Sequence, residues 1–205
     1  LGVGAAAVGL AACGGSAGSS GRSTSTASTS APTAAASAGA TNAVLTEIPD
    51  ETAGPYPGDG SNGPNVLTDP DVIRSDIRTS FGDFNGRAEG IPMTLELVVR
   101  DLANGGSPFA GAAVYVWHCD RDGNYSLYSD AVLDQNYLRG VQVAGADGKV
   151  TFTSIFPACY SGRWPHIHFE VYPDQGSIAD NSKVIATSQV TIPKDVCEAV
   201  YATTG

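Results

Sequence analysis

Hydrophobic and polar residues alternate along short segments in the second half of the chain, and this pattern predicts β-strands. Every second residue of 93–99 is apolar, which places one face of a strand against a core. Residues 113–118 are almost entirely apolar on both faces, as is typical of a central strand. The predicted strands are 93–100, 113–118, 149–155, 166–172 and 183–192.

Turn residues separate these segments, and no long segment has the 3.6-residue period of an amphipathic helix. Residues 104–108, 120–124 and 146–148 are rich in Gly, Pro, Asp and Asn, which favour tight turns. Short strands joined by such turns predict an all-β fold, either a sandwich or a barrel.

The 205-residue chain divides by composition into three parts. Residues 1–13 are small and apolar and end in Leu-Ala-Ala-Cys, so we expect the remnant of a signal peptide with a lipobox, in which Cys13 receives the lipid. Residues 14–44 are mostly Ala, Gly, Ser and Thr, with Arg22 as their one charged residue, and predict a flexible, disordered linker. Residues 45–205 are long enough to form one domain with its own core.

The net charge of −10 and the pI of about 4.5 argue against nucleic acid and anionic membrane surfaces as partners. The apolar run before Cys13 is too short to cross a bilayer, which takes about 20 residues. We therefore expect an exported protein, either secreted or held at the cell surface, whose membrane contact is a lipid anchor alone.

Export would place the remaining cysteines in an oxidising compartment, where they can pair. Cys119, Cys159 and Cys197 are an odd number, so one thiol is left over. We expect a disulfide between Cys159 and Cys197, with Cys119 as a small buried side chain.

Candidate metal-binding residues centre on His166 and His168. The two residues are two positions apart, so on a strand both rings point to the same face. Two such imidazoles can supply half of the ligands of a metal site. Tyr125 and Tyr160 are candidates for the other half. A phenol with a pKa near 10 binds divalent ions poorly, but a trivalent cation can ionise it. Two histidines and two tyrosinates therefore suit ferric iron better than zinc or copper.

Arg163 comes three residues before His166, where a guanidinium could stabilise an anion beside a metal. The familiar HExxH and CxxC motifs are absent from the sequence. A zinc or copper enzyme with three histidines stays open as an alternative, and it requires His118 to join the pair. A binding module with exposed aromatic residues, for adhesion or carbohydrate, is the other alternative.

Three stretches together resemble the intradiol ring-cleavage dioxygenase family. They are Trp117-His118-Cys119-Asp120 followed by Gly123 and Tyr125, then Leu138-Arg139-Gly140 followed by 147–157, then Tyr160, Arg163 and His166-Ile167-His168. Residues 51–56 also resemble a family motif, and the lipobox with its linker most resembles the exported bacterial branch.

The resemblance implies an antiparallel β-sandwich of the intradiol dioxygenase type with long loops. It implies one non-haem Fe³⁺, and O2 and a catechol-type molecule as substrates, with a muconate-type dicarboxylic acid as product. Catechol, protocatechuate and hydroxyquinol all remain open as substrates. The implied metal ligands are Tyr125, Tyr160, His166 and His168. In addition, Tyr160 would be displaced by substrate, Arg163 would lie beside the ring, Gln189 would support the site, and Gly54, Pro55 and Tyr56 would border the substrate.

Overall fold

The computed structural model describes residues 2–9 and 45–203. The predicted lipid-bearing Cys13 and the linker 14–44 lie outside these residues. Two antiparallel sheets form the domain. Their strands are β1 (Gly2–Gly9), β2 (Pro92–Asp101), β3 (Ser107–Pro108), β4 (Ala113–Trp117), β5 (Arg139–Val143), β6 (Lys149–Ile155), β7 (His166–Tyr172) and β8 (Ala186–Thr191). A helix, α1 (Lys194–Tyr201), follows β8, and six short 3-10 turns lie in the connections between described elements.

The first sheet is built on β2, which pairs antiparallel with β1, β3 and β6. The pairing between β2 and β6 runs from Pro92 opposite Ile155 to Val98 opposite Lys149. The structure pairs Gly2–Gly9 with β2, whereas a signal peptide that ends before Cys13 would be removed together with these residues. The signal-peptide interpretation therefore stays a prediction.

The second sheet has the strand order β5-β4-β7-β8. Its register places Arg139, Trp117, His168 and Gln189 directly opposite one another across the four strands. Because side chains alternate along a strand, these residues share one face of the sheet. This transverse row positions the candidate site.

The hydrophobic core lies between the two sheets. Alternate residues of β2 are buried there against the inward-facing side chains of β4, β6 and β7. The cluster includes Leu95, Leu97, Val116, Phe152 and Phe169. Complete burial of such a side chain contributes about 2 kcal/mol of hydrophobic free energy. The structure is therefore the antiparallel β-sandwich that the sequence predicted.

The opposite face of the second sheet is covered by irregular segments instead of a third sheet. A second buried cluster on this face combines Tyr115 and Trp117 of β4 with Val72, Phe81 and Tyr125 from the long connections. Backbone bridges tie the segment before β2 to β5 and β6, including one from Ile73 to Val141. The long loops are thus packed against the sheet that carries the histidines.

The strand predictions are confirmed, with small differences at the ends. The predicted strand 183–192 is shorter and begins at Ala186, because residues 181–183 form a 3-10 turn. The sequence did not predict β5 or the helix α1. That helix has eight residues and buries only Cys197 and Val200, too few positions to show a helical period. No helix among the described residues has the length and apolar composition needed to cross a membrane.

The predicted disulfide between Cys159 and Cys197 is wrong, because both are free thiols in the structure. Cys197 lies on the buried face of α1 with its Sγ 3.7 Å from the carbonyl oxygen of Ile192, whereas Cys159 is exposed on a loop. The helix therefore turns the Cys197 thiol into the core and away from the surface. Cys119 is buried as predicted, and its thiol donates to the Ala158 carbonyl at 3.5 Å.

Candidate metal centre

His166 and His168 lie side by side on β7, and both are buried. Their Nε2 atoms are 3.0 Å apart, and their ring centroids are separated by 4.7 Å. Two nitrogens bound to one metal ion at about 2.1 Å, at right angles, lie about 3 Å apart. The spacing of the pair therefore fits two ligands of one ion.

Hydrogen bonding selects the tautomer of His166. Its Nδ1 lies 2.5 Å from the carbonyl oxygen of Trp164, which can only accept, so Nδ1 carries the proton. Nε2 is then left with a free lone pair that points toward His168. Burial lowers the pKa of His166, so the ring is neutral at physiological pH, which is the form that binds metals.

His168 is held between an aromatic ring and a glycine. Trp117 stacks on it with centroids 4.9 Å apart and an interplanar angle of 7°. On another side, a Cβ on Gly54 would lie 3.3 Å from His168 Cε1, so a larger residue would crowd the ring. Burial, together with the neighbouring His166, lowers the pKa of His168 to about 3. The ring is therefore kept neutral and well oriented.

Tyr125 brings a phenol oxygen to the histidine pair. Its Oη is 3.4 Å from His166 Nε2, and its side chain is buried. The turn before it is fixed by Asp120, whose Oδ1 accepts from the backbone amides of Asp122 and Asn124, each at 2.9 Å. Burial raises the pKa of Tyr125, so the phenol stays protonated unless a strong positive charge is bound beside it.

Tyr160 closes the cluster from a loop and is the most exposed of the four predicted ligands. Its ring centroid lies 6.0 Å from those of both Tyr125 and His166. Arg163 donates from Nη1 to Tyr160 Oη at 3.3 Å. A partly exposed loop phenol is freer to move than the three buried side chains.

The four side chains thus offer two neutral imidazole nitrogens and two phenol oxygens. In the described part of the chain, no three His, Cys, Asp or Glu side chains are grouped as a metal site. The donor set fits a hard, trivalent cation, because such an ion can ionise phenols that burial otherwise keeps neutral.

His118 does not join the pair, which disagrees with a three-histidine site. Its Nε2 lies 2.7 Å from Ser154 Oγ, and its Nδ1 lies 2.7 Å from the carbonyl oxygen of Cys119. Both ring nitrogens are therefore hydrogen-bonded within the protein, and neither is free to bind a metal ion. Burial lowers the pKa of His118 to about 4.

The predicted supporting residues surround the same cluster. Arg163 donates from Nη2 to Gln189 Oε1 at 2.6 Å, and Gln189 donates from Nε2 to the carbonyl of Thr52 at 3.2 Å. The Tyr56 ring lies 4.8 Å from that of Tyr125 and 6.4 Å from that of Tyr160, measured between centroids. Pro55 lies at the exposed edge of this loop.

Two supporting residues are not predicted by the sequence. The pattern identifies Trp117 only as a buried strand residue, and Arg139 only as part of a family motif. The structure places Trp117 against His168 and buries Arg139 between the loop 54–58 and the segment that follows Tyr125. The sequence pattern carries no signal for Arg139, because the strand that it begins, β5, shows no alternation.

The exposed aromatic side chains among the described residues are Phe84, Trp164 and Tyr201, which lie far apart in the sequence. Trp117 is completely buried, and Trp164 is 47% exposed with its Nε1 donating to the Ile192 carbonyl at 2.8 Å. A cavity of about 430 Å³ lies away from the cluster, lined partly by Arg121, Phe156 and Tyr201, and none of the four predicted ligands lines it.

Comparison with known proteins gives the same family throughout. The family model described as Dioxygenase matches residues 73–171, a span that contains all four predicted ligands and Arg163. Chlorocatechol 1,2-dioxygenase from Rhodococcus opacus is 48% identical over 62 residues, which are 30% of this chain and 23% of that protein. Chlorocatechol 1,2-dioxygenase from a Pseudomonas species is 31% identical over 130 residues, 55% of this chain and 49% of that protein.

Among solved structures, an intradiol ring-cleavage dioxygenase from Tetranychus urticae is similar with a TM-score of 0.56 and 28% identity. The similarity covers 76% of this chain and 70% of that one. The chain spans less than half the length of each of the two curated relatives.

Proposed function

Because the chain belongs to the intradiol ring-cleavage dioxygenase family, we propose that it is a non-haem, iron(III)-dependent dioxygenase. Its substrate is a catechol-type molecule, whose ring opens between the two hydroxyl groups. Both atoms of O2 enter the product, a muconate-type dicarboxylic acid. The observation that carries the proposal is the close approach of three possible ligand atoms. His166 Nε2 lies 3.4 Å from Tyr125 Oη and 3.0 Å from His168 Nε2.

Tyr125, Tyr160, His166 and His168 would hold the ferric ion. When bound, it would supply Lewis acidity and a template on which a catechol and O2 react. The three buried ligands are fixed by their neighbours. Trp164 orients His166, Trp117 orients His168, and the Asp120 turn orients Tyr125.

Tyr160 has a different task, which its partial exposure supports. In its ionised form beside the cation, Tyr160 Oη would take a proton from one catechol hydroxyl as a substrate enters. The resulting neutral phenol would turn toward solvent. Arg163, now 3.3 Å from this oxygen, would remain beside the substrate, because Gln189 holds its guanidinium.

Arg163 would stabilise negative charge that develops on the opening ring. Its guanidinium is held by Gln189, which in turn is held by the backbone of Thr52. A preorganised cation needs little reorganisation when charge develops, so it favours the transition state over the ground state. The loop 54–56 would cover the ring, with Tyr56 as its aromatic contact.

The test combines metal analysis, colour and oxygen uptake on the purified protein. Tyrosinate bound to ferric iron absorbs visible light, so we expect a red protein with one iron per chain. Catechol, protocatechuate and hydroxyquinol should be offered in parallel, and the dicarboxylic acid identified by mass. A colourless protein without iron, after growth in iron-rich medium, would contradict the proposal.

We further propose that the protein is exported and anchored by a lipid on Cys13, with residues 14–44 as the linker. Support comes from the Leu-Ala-Ala-Cys sequence and the composition of the linker. Expression behind a complete lipoprotein signal should incorporate labelled palmitate into the wild-type protein and none into Cys13→Ser. Equal labelling of both proteins would exclude the anchor.

A further inference from the structure

Arg139 is a completely enclosed arginine, 1% exposed, next to the candidate metal centre. All five of its N–H groups are used. Nε donates to Ser126 Oγ at 3.0 Å, and Nη2 donates to the carbonyls of Ser126 and Tyr56 at 2.9 and 3.0 Å. Nη1 donates to the Pro57 carbonyl at 2.8 Å and to Tyr115 Oη at 3.0 Å.

These acceptors belong to three separate parts of the chain. Tyr56 and Pro57 lie in the loop predicted to border the substrate, Ser126 directly follows the predicted ligand Tyr125, and Tyr115 lies on β4. One side chain therefore joins the substrate loop to the segment that carries a metal ligand.

All five acceptors are neutral, and none is a carboxylate. Burial of a charged group costs several kcal/mol of hydration free energy, which hydrogen bonds to neutral groups only partly return. An apolar residue here would leave the carbonyl oxygens of Tyr56, Pro57 and Ser126 without these donors. A planar fork with five donors is specific to arginine, since lysine offers three donors and no fixed plane.

Neighbouring residues show how closely the loop is fitted to this guanidinium. Gly58 has a φ of +67°, and a Cβ there would lie 2.8 Å from Arg139 Nη1. Tyr115 Oη donates to the Pro57 carbonyl at 2.7 Å, and the Gly58 amide donates to Tyr128 Oη at 2.8 Å. On its other side, the loop lies so near His168 that a Cβ on Gly54 would be 3.3 Å from His168 Cε1.

From these contacts we infer that Arg139 is a positioning residue that fixes the loop 54–58 against the metal-binding side chains. It shapes the substrate-binding surface without touching the substrate. The kinetic part of its test rests on the proposed function, and the structural part does not.

The structural test is hydrogen exchange on metal-free protein. In Arg139→Lys, three donors replace five, so the amides of residues 51–60 should exchange about tenfold faster while the strand amides stay protected. Gly58→Ala should give the same local change, because its Cβ pushes against the guanidinium. Gly105→Ala is the matched control: its φ is +68°, but a Cβ there meets nothing within 4 Å.

The kinetic test compares the same variants loaded with iron, on whichever catechol the wild type turns over. A loosened loop should raise KM about tenfold and change kcat less than about threefold, because binding is lost and the reacting groups remain. Iron content should stay at the wild-type level. Tyr115→Phe removes one hydroxyl of the network, and it should show a smaller rise in both exchange rate and KM.

Unchanged exchange of residues 51–60 in both Arg139→Lys and Gly58→Ala would overturn the inference, whatever the activity. A loss of iron or a fall in kcat with KM unchanged would also overturn it, by placing Arg139 in the metal centre. If Arg139→Lys does not fold, the exchange rates of residues 51–60 in Gly58→Ala are compared with those in Gly105→Ala. A difference between these two variants then decides the question. A wild type without ring cleavage refutes the proposed function alone, since the exchange measurement needs no turnover.

Discussion

Trp117 lies flat against His168, with ring centroids 4.9 Å apart and planes inclined by 7°. The two residues face each other across β4 and β7, so the sheet register itself brings them together. Trp117 has no exposed surface, and its Nε1 has no hydrogen-bond partner within the described structure. Its contribution is therefore a rigid apolar wall for the imidazole.

Replacing Trp117 by Phe should weaken iron binding, because a smaller ring leaves His168 free to tilt. The free energy of unfolding should fall by about 2 kcal/mol, from lost packing at a buried site. Iron affinity is measured by competition with a chelator, and stability by urea unfolding of the metal-free protein. Phe152→Leu, buried in the first sheet, is the control. It should lose similar stability and keep iron affinity.

Removing a proposed ligand that is buried should abolish the proposed metal centre. Tyr125→Phe keeps the ring and loses Oη, and His168→Ala loses Nε2, so each should lose bound iron, the visible absorption and most ring cleavage. Tyr137→Phe removes another buried phenol, one that lies 3.4 Å from Asp120, and should keep all three properties. Full iron and full turnover in either ligand variant would show that the ligand assignment is wrong.

Arg163 and Gln189 should act as a pair, because the bond between them is 2.6 Å long. Arg163→Met should lower kcat about tenfold to a hundredfold by removing a cation beside the developing charge. Gln189→Leu should lower it less, since the guanidinium remains but is no longer held. A double-mutant cycle measures the coupling, and strictly additive effects would mean that Gln189 does not position Arg163.

His118 should make the metal-free protein less stable in mild acid. Burial lowers its pKa to about 4 in the folded protein, against 6.5 for an unperturbed histidine. The unfolded chain therefore binds a proton first as the pH falls. Neutral His118 therefore makes its full contribution to the free energy of unfolding above pH 6.5. This contribution, about 3 kcal/mol in total, is lost progressively toward pH 4.

Urea unfolding of wild type and His118→Gln between pH 4 and 7 checks this dependence. The free-energy difference between the two proteins should narrow as the pH falls, because Gln has no charge to gain. Parallel curves over that range would show that His118 keeps an ordinary pKa when folded.

The strands and their inward faces could be predicted from the sequence because burial on one face imposes a period of two. The same period predicts that His166 and His168 share one face of a strand, as they do on β7. It could not identify β5, in which Arg139, Gly140 and Val141 are all buried and no alternation remains. It also could not settle the cysteine pairing, since that depends on the direction in which α1 presents Cys197.

The sequence pattern predicted an all-β fold, sandwich or barrel, and the histidine pair. The resemblance to a family added the sandwich, the two tyrosines as metal ligands and Arg163 beside the substrate. Those inferences depend on local periodicity and on residue identity. Only the tertiary structure showed that His118 is hydrogen-bonded to Ser154, that Trp117 stacks on His168, and that Arg139 binds the loop 54–58. Each of these contacts joins segments far apart in the chain, and their distances are set by strand register and packing, which no local pattern records.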